Sequence, residues 1–189
     1  LMLNPPQHTR IRSLVSKAWD NRNVDELIQK NVTKVLDKIQ SRDFDVVADF
    51  AQPISVFTIS DILGIEVTDY RYISDLGSTM SIAGDLYPSL RELVMIDRAA
   101  REFIEFFRKQ IAMKSRQPDE GLLSKLILRN KAENIGLEER ELISVSIFLF
   151  IAGQETSAGL ISNGIHTLLK FPKQLEKFRR DEALTESSV

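Results

Sequence analysis

Apolar residues recur along this chain at the three- and four-residue spacing of an α-helix, and almost nowhere with the alternation of a strand. The clearest case is 24–40, where Val24, Leu27, Ile28, Val32, Val35, Leu36 and Ile39 form one apolar stripe. A first helix is predicted to open at Asn4-Pro5-Pro6-Gln7 and run to about Trp19. Asn4 would be its cap, Pro5 its first residue and Gln7 the far side of a capping box. Residues 43–47 read as a short extended piece. A helix over 50–63 is stopped by Gly64, with Pro53 in the first turn, where a missing N–H is tolerated. Further helices are predicted over 69–82, 89–115, 120–130 and 138–170, and from Pro172 onward. The connections are short and polar (Gly84-Asp85, Arg116-Gln117-Pro118-Asp119, Asn134-Ile135-Gly136), with no repeat or low-complexity tract. The prediction is an all-α fold, mainly helical, in which 1–189 is a single helical segment of one larger domain with no second domain.

Composition narrows the classes. Of 189 residues 43% are hydrophobic, enough for a buried core. With 25 basic and 27 acidic residues the net charge is -2, so no overall field draws the chain to nucleic acid or to an anionic membrane. The longest apolar run, 142–152, is interrupted by Ser144 and Ser146 and falls short of the ~20 residues of a membrane span. No stretch reads as a signal peptide. A soluble, cytoplasmic protein is therefore expected. With no cysteine, the chain holds no disulfide, thiolate ligand or cysteine nucleophile. His8 and His166 have no partner at metal-ligand spacing, and the glycines are scattered singly, so no metal or phosphate-loop motif is present. Glu138 and Glu139 sit at a helix start, where acids favour the macrodipole. Leu1 at the start, and an end at Thr-Glu-Ser-Ser-Val without a closing element, suggest a chain cut at both ends.

Two constellations carry candidate chemistry. In "PPQHTRIR", His8 and Arg12 stand four apart on one helix face, a pair of donors suited to a carboxylate. A solvated basic face, shared with Arg10 and Lys17, explains the same residues. In "FLFIAGQETSAG", Phe148, Ala152 and Thr156 share one face, with Ile151 and Glu155 on the neighbouring stripe. That face passes from bulky to small to hydroxyl. Small residues admit something wide and flat, and a threonine there can bond the carbonyl four residues back and distort the helix. Tight helix–helix packing through Gly153, Ala158, Gly159 and Gly164, with Glu155 merely exposed, is the other reading.

Together the motifs resemble the haem-thiolate monooxygenases of the cytochrome P-450 superfamily, in the soluble bacterial and archaeal style. "NPPQHTRIRSLVSKAW" is similar to the haem-propionate helix of that family. "FIAGQETSAGLISNGIHTLLKFP" is similar to its long central helix with the A-G-x-[DE]-T-[TS] signature, and "RQPDEGLLSKLI" to the segment leading into it. The resemblance covers the whole chain in order. It implies the P-450 fold from the propionate helix through the central helix, with a haem b (iron protoporphyrin IX) against that helix. His8 and Arg12 would bind a haem propionate, and Ala152 and Gly153 would lie over the porphyrin. Thr156 would be the oxygen-activating hydroxyl and Glu155 the acid that relays protons. Phe148 and Ile151, with Met80, Ile82 and Leu86, would line the substrate pocket. Trp19 would pack in the core, and His166 would do nothing chemical. The implied partners are a small organic substrate, O2 and a ferredoxin- or flavodoxin-type electron donor.

This chain departs from the pattern in several places. Asn4 or Gln7 stands where the family usually has an acid, and Gly136 where it has a Ser or Thr cap. The axial cysteine is missing, and so is the Glu-x-x-Arg pair of the next helix. Glu105 with Arg108 and Glu176 with Arg179 look alike but fall too early, and are expected to be surface ion pairs of ~0.5 kcal/mol or less. The expectation is a fragment of a P-450 monooxygenase, inactive alone for want of the iron ligand. The alternative is a truncated, haem-free helical binding module derived from that family.

Overall fold

The computed structural model describes residues 4–19, 24–181 and 184. Among them are eight α-helices and no strand: α1 (Gln7–Ala18), α2 (Val24–Leu36), α3 (Gln52–Leu63), α4 (Tyr70–Ser81), α5 (Leu90–Arg116), α6 (Leu122–Ala132), α7 (Glu139–Lys170) and α8 (Pro172–Arg180). The run predicted from Pro172 onward continues past the described residues.

Three local expectations change. Asn4 does not cap α1 with its side chain. Proline bars the residue before it from helical backbone, so Pro5, which precedes Pro6, cannot start the helix, and the first helical residue is Gln7. The Asn4 and Pro6 carbonyls accept from the N–H groups of His8 and Arg10, both at 3.1 Å. Helix α2 stops at Leu36, where Lys38 and Ile39 bond three residues back and tighten the end. Its buried side chains are Asn31 and Val35, and Asn31 Nδ2 donates to Asp61 on α3 at 3.1 Å. The extended piece over 43–47 is not formed. Asp45 instead accepts from the N–H groups of Val47 (2.8 Å) and Ala48 (3.0 Å) and opens a π-helical turn, Val46–Ala51, that leads into α3. Gly64 ends α3 with φ 73°, a left-handed conformation in which glycine avoids the Cβ clash.

Helix α7 is the spine, 32 residues or about 48 Å long, packed against α3, α4, α5 and the π-helical turn. Glu138 precedes it, and its N–H donates to Glu141 at 2.9 Å. The core between α5 and α7 is aromatic: Phe150 lies 5.7 Å from Phe103 and 6.2 Å from Phe107, ring centre to ring centre, and all three are fully buried. Ser89 starts α5 with a capping box, giving its oxygen to the Glu92 N–H (3.3 Å) and receiving the Glu92 carboxylate on its own N–H (2.7 Å).

Charged tethers position α1. Arg10 pairs with Glu141 and donates to the Gly136 carbonyl at 3.2 Å, and Lys17 pairs with Glu133 at 2.8 Å. Between α5 and α6, the buried Lys114 reaches Asp119, which also accepts from Ser124 (2.7 Å) and the Gly121 N–H (3.0 Å). There Gly64 and Gly121 touch backbone to backbone. A Cβ on Gly121 would stand 2.5 Å from the Gly64 Cα, and one on Gly64 would stand 2.8 Å from the Gly121 Cα.

Two helical stretches, Val46–Leu63 and Glu139–Lys170, are long and apolar enough to cross a membrane by length and composition, although 142–152 alone is too short. Both stretches bury part of that surface against other helices of the chain.

Candidate functional site

Two stripes with four-residue spacing run along α7. Ser146, Phe150, Gln154 and Ala158 form the buried one, facing α3, α4 and α5. Phe148, Ala152, Thr156 and Leu160 form the open one, with Phe148 52% and Leu160 61% exposed. The face that passes from bulky to small to hydroxyl is therefore the face that no described helix covers. Thr156 Oγ1 donates to the Ala152 carbonyl at 2.7 Å, as its position suggests, and α7 stays helical at every residue. Glu155 is exposed beside it and accepts from Ser78 Oγ on α4 at 3.3 Å.

Gly153 looks the other way. A Cβ there would stand 2.7 Å from Cγ1 and Cδ1 of Ile59, so its small size lets α3 and α7 approach. Gly159 and Gly164 have nothing within 4 Å of such a Cβ and are not contact glycines. Of the small residues over the expected porphyrin face, Ala152 alone is on the open stripe. Ile151 is half-buried, Met80 is packed against the core, Ile82 sits in a short 3-10 turn after α4, and Leu86 is 88% exposed on the loop beyond it.

His8 and Arg12 are both exposed on α1, and their side chains make no hydrogen bond or ion pair among the described residues. Arg10 and Lys17 of the same helix are consumed by the tethers to Glu141 and Glu133. The donor pair is thus separated from the structural cations. Of the look-alike pairs, Glu105 binds Arg108 at 2.9 Å, whereas Glu176 pairs with Arg180 rather than Arg179. Trp19 is 40% exposed, less buried than the core role expected of it.

The most informative residue that the sequence did not flag is Gln154. It is 1% exposed, and its Nε2 donates to the Ser74 carbonyl (3.1 Å) and to Ser74 Oγ (2.9 Å) on α4. The signal was available as the four-residue step from Phe150 to Ala158, with Gln154 between them.

Perturbed titrating groups lie elsewhere. The Tyr72 hydroxyl donates to Glu102, which also binds Arg98; the first bond raises the phenol and, with Arg98, holds the carboxyl below its ordinary value. These groups fasten α4 to α5. A cavity of about 740 Å³ lies where the end of α1 meets α2, the end of α3 and the start of α6, and no candidate residue lines it. The α7 face is an open strip rather than an enclosed pocket.

No family model matches the chain. Cytochrome P450 CYP107DY1 of Priestia megaterium is 37% identical over 193 residues, covering 100% of this chain and 46% of the relative. The 6-deoxyerythronolide B hydroxylase of Saccharopolyspora erythraea is 32% identical, covering 98% of this chain and 46% of its own. A solved structure of P450BioI, in complex with an acyl carrier protein ligated to hexadec-9Z-enoic acid, superimposes with a TM-score of 0.88 at 30% identity, covering 100% of this chain and 49% of that one. The chain belongs to the cytochrome P450 family. It spans about half the length of the curated P450 relatives it matches. CalO2, at 24% identity and a TM-score of 0.88, agrees in fold.

Proposed function

We propose that this chain is the part of a P450 monooxygenase that covers the oxygen side of a haem b, and that the intact protein hydroxylates a small organic substrate with O2. Its electrons would come from a ferredoxin- or flavodoxin-type donor in the cytoplasm. The observation that carries the reading is the open stripe of α7. A helix packed by α3, α4 and α5 leaves Phe148, Ala152, Thr156 and Leu160 exposed, with an acid beside the hydroxyl. The residues fit a flat ring. Ala152 gives clearance between two larger neighbours, and His8 and Arg12 are unspent donors suited to propionates.

A bound haem supplies the oxidising chemistry; this chain supplies position and protons. His8 and Arg12 would orient the propionate edge. Glu155, exposed and held by Ser78, can exchange protons with solvent and offer them along α7. The hydroxyl hydrogen of Thr156 is engaged with the Ala152 carbonyl, so its lone pairs are free to accept a hydrogen bond. Passing its own proton on requires the bond to Ala152 to open, at a net cost of ~1 kcal/mol. Phe148 and Ile151, with Met80, Ile82 and Leu86, would bound the substrate on its apolar side. Because this chain holds no cysteine to ligate a haem iron, the chain alone is expected to be inactive.

The test uses the intact protein. Thr156→Ala should leave the substrate-induced spectral change in place while electrons from NAD(P)H drain into hydrogen peroxide. A positioned proton donor typically contributes 10²- to 10⁴-fold, so the loss should be plain. Full coupling in Thr156→Ala would end the relay, and an intact protein that takes up no haem would leave a haem-free binding module.

A further inference from the structure

We propose that Gln154 is a positioning residue of this site, holding α4 on α7 at the level of Glu155 and Thr156; the proposal rests on the functional reading above. Its Nε2 binds both the carbonyl and the hydroxyl of Ser74, at 3.1 and 2.9 Å. The other end of the amide, Oε1, is buried and has no hydrogen-bond partner. It lies where α4 has no side chain, because a Cβ on Gly77 would stand 2.4 Å from it. Gln154, Ser74 and Gly77 are therefore fitted to one another.

A leucine of similar size would fill the space without burying an unpaired oxygen. Apolar contacts are non-directional and let two helices slide, whereas two bonds to one residue fix both rotation and translation. What they fix is relevant to the site. One residue beyond Gly77, Ser78 binds Glu155, and α4 continues to Met80 and the Ile82 turn. A shift of α4 would move the partner of the acid and the proposed pocket wall together. Gln154 itself is fully enclosed on the side away from the open stripe, so it acts through α4 rather than on substrate.

The test takes the intact haem-loaded protein with Gln154→Leu, Ser74→Ala and the double substitution. Amide hydrogen exchange over 70–81, substrate titration by spectral shift, and coupling are measured alongside haem content and thermal unfolding. Both single variants should raise exchange over 70–81 but not over 52–63. Substrate binding should weaken by about 2- to 12-fold, the range one net hydrogen bond spans. The double variant should be no worse than Gln154→Leu, because Gln154→Leu already removes both bonds, whereas Ser74→Ala removes only the one to the hydroxyl. Ser74→Ala preserves the core and keeps the test readable where Gln154→Leu fails to fold. Unchanged exchange, additive effects, or raised exchange with affinity and coupling intact would each overturn the proposal, the last reducing Gln154 to packing. The exchange arm needs no turnover, so full coupling in Thr156→Ala would sink the relay and still leave the tether measurable.

Discussion

Replacing Gly153 with alanine sets two effects of known size against each other. Alanine gains ~1 kcal/mol over glycine inside a helix. The new Cβ, however, would stand 2.7 Å from Cγ1 and Cδ1 of Ile59, which is 5% exposed and confined between α3 and α7. Overpacking of this kind costs ~1–3 kcal/mol, so the net change should run from neutral to about 2 kcal/mol destabilising. Gly159→Ala is the reference. It lies on the same helix with nothing within 4 Å of its Cβ, so it should show the propensity gain alone. Subtracting one variant from the other cancels propensity and isolates the clash at ~1–3 kcal/mol. A cycle with Ile59→Ala, which removes both offending atoms, should return a favourable coupling of similar size. Urea unfolding at a common slope reads all five proteins. Equal stability of the two alanine variants, or additivity within ~0.5 kcal/mol, would mean that Ile59 is not what keeps position 153 small.

Three further outcomes follow from the charged contacts. Burial pushes the Asp119 carboxyl up, but the Lys114 ammonium, Ser124 and the Gly121 N–H outweigh it and hold the group below its ordinary 3.8. A depressed acid stabilises above its unfolded value and loses that contribution as pH falls through the native one, so Asp119→Asn should be weaker than wild type near neutrality and converge with it below about pH 3.8 in denaturant titrations. Arg10→Ala should cost ~0.5–1 kcal/mol, less in high salt, because its ion pair with Glu141 is partly exposed; a loss indifferent to salt would point to packing instead. In the intact protein, His8→Ala with Arg12→Ala should weaken haem retention about tenfold or more, while Arg42→Ala with Lys131→Ala leaves it unchanged; equal retention would return the pair to a solvated face.

Helix existence was legible from spacing alone, since a 3.6-residue period needs no knowledge of neighbours. The errors fall where a local interaction outbids the pattern: two prolines delay α1 past Asn4, and the Asp45 carboxylate turns an apparent strand into a π-helical entry. The grouping of Phe148, Ala152 and Thr156 was equally legible, but which face of α7 is buried was not. Both stripes hold a phenylalanine and a small residue, and only the arrival of Ser74, from 80 positions away, and of Gly77 beside it distinguishes Gln154 from Glu155. Likewise, nothing near Gly153 in the sequence announces Ile59.

The meeting of Gly64 and Gly121 bears on how this sequence can drift. At Gly153 a larger residue has an escape, because Ile59 can be trimmed in answer. At the crossing of α3 and α6 each glycine faces the backbone of the other, so neither position has a smaller residue to exchange for room. In a saturation library both rows should be empty, and no pairwise change between the two should refill them. The two glycines are a fixed point around which any engineered change in the angle between α3 and α6 has to pivot.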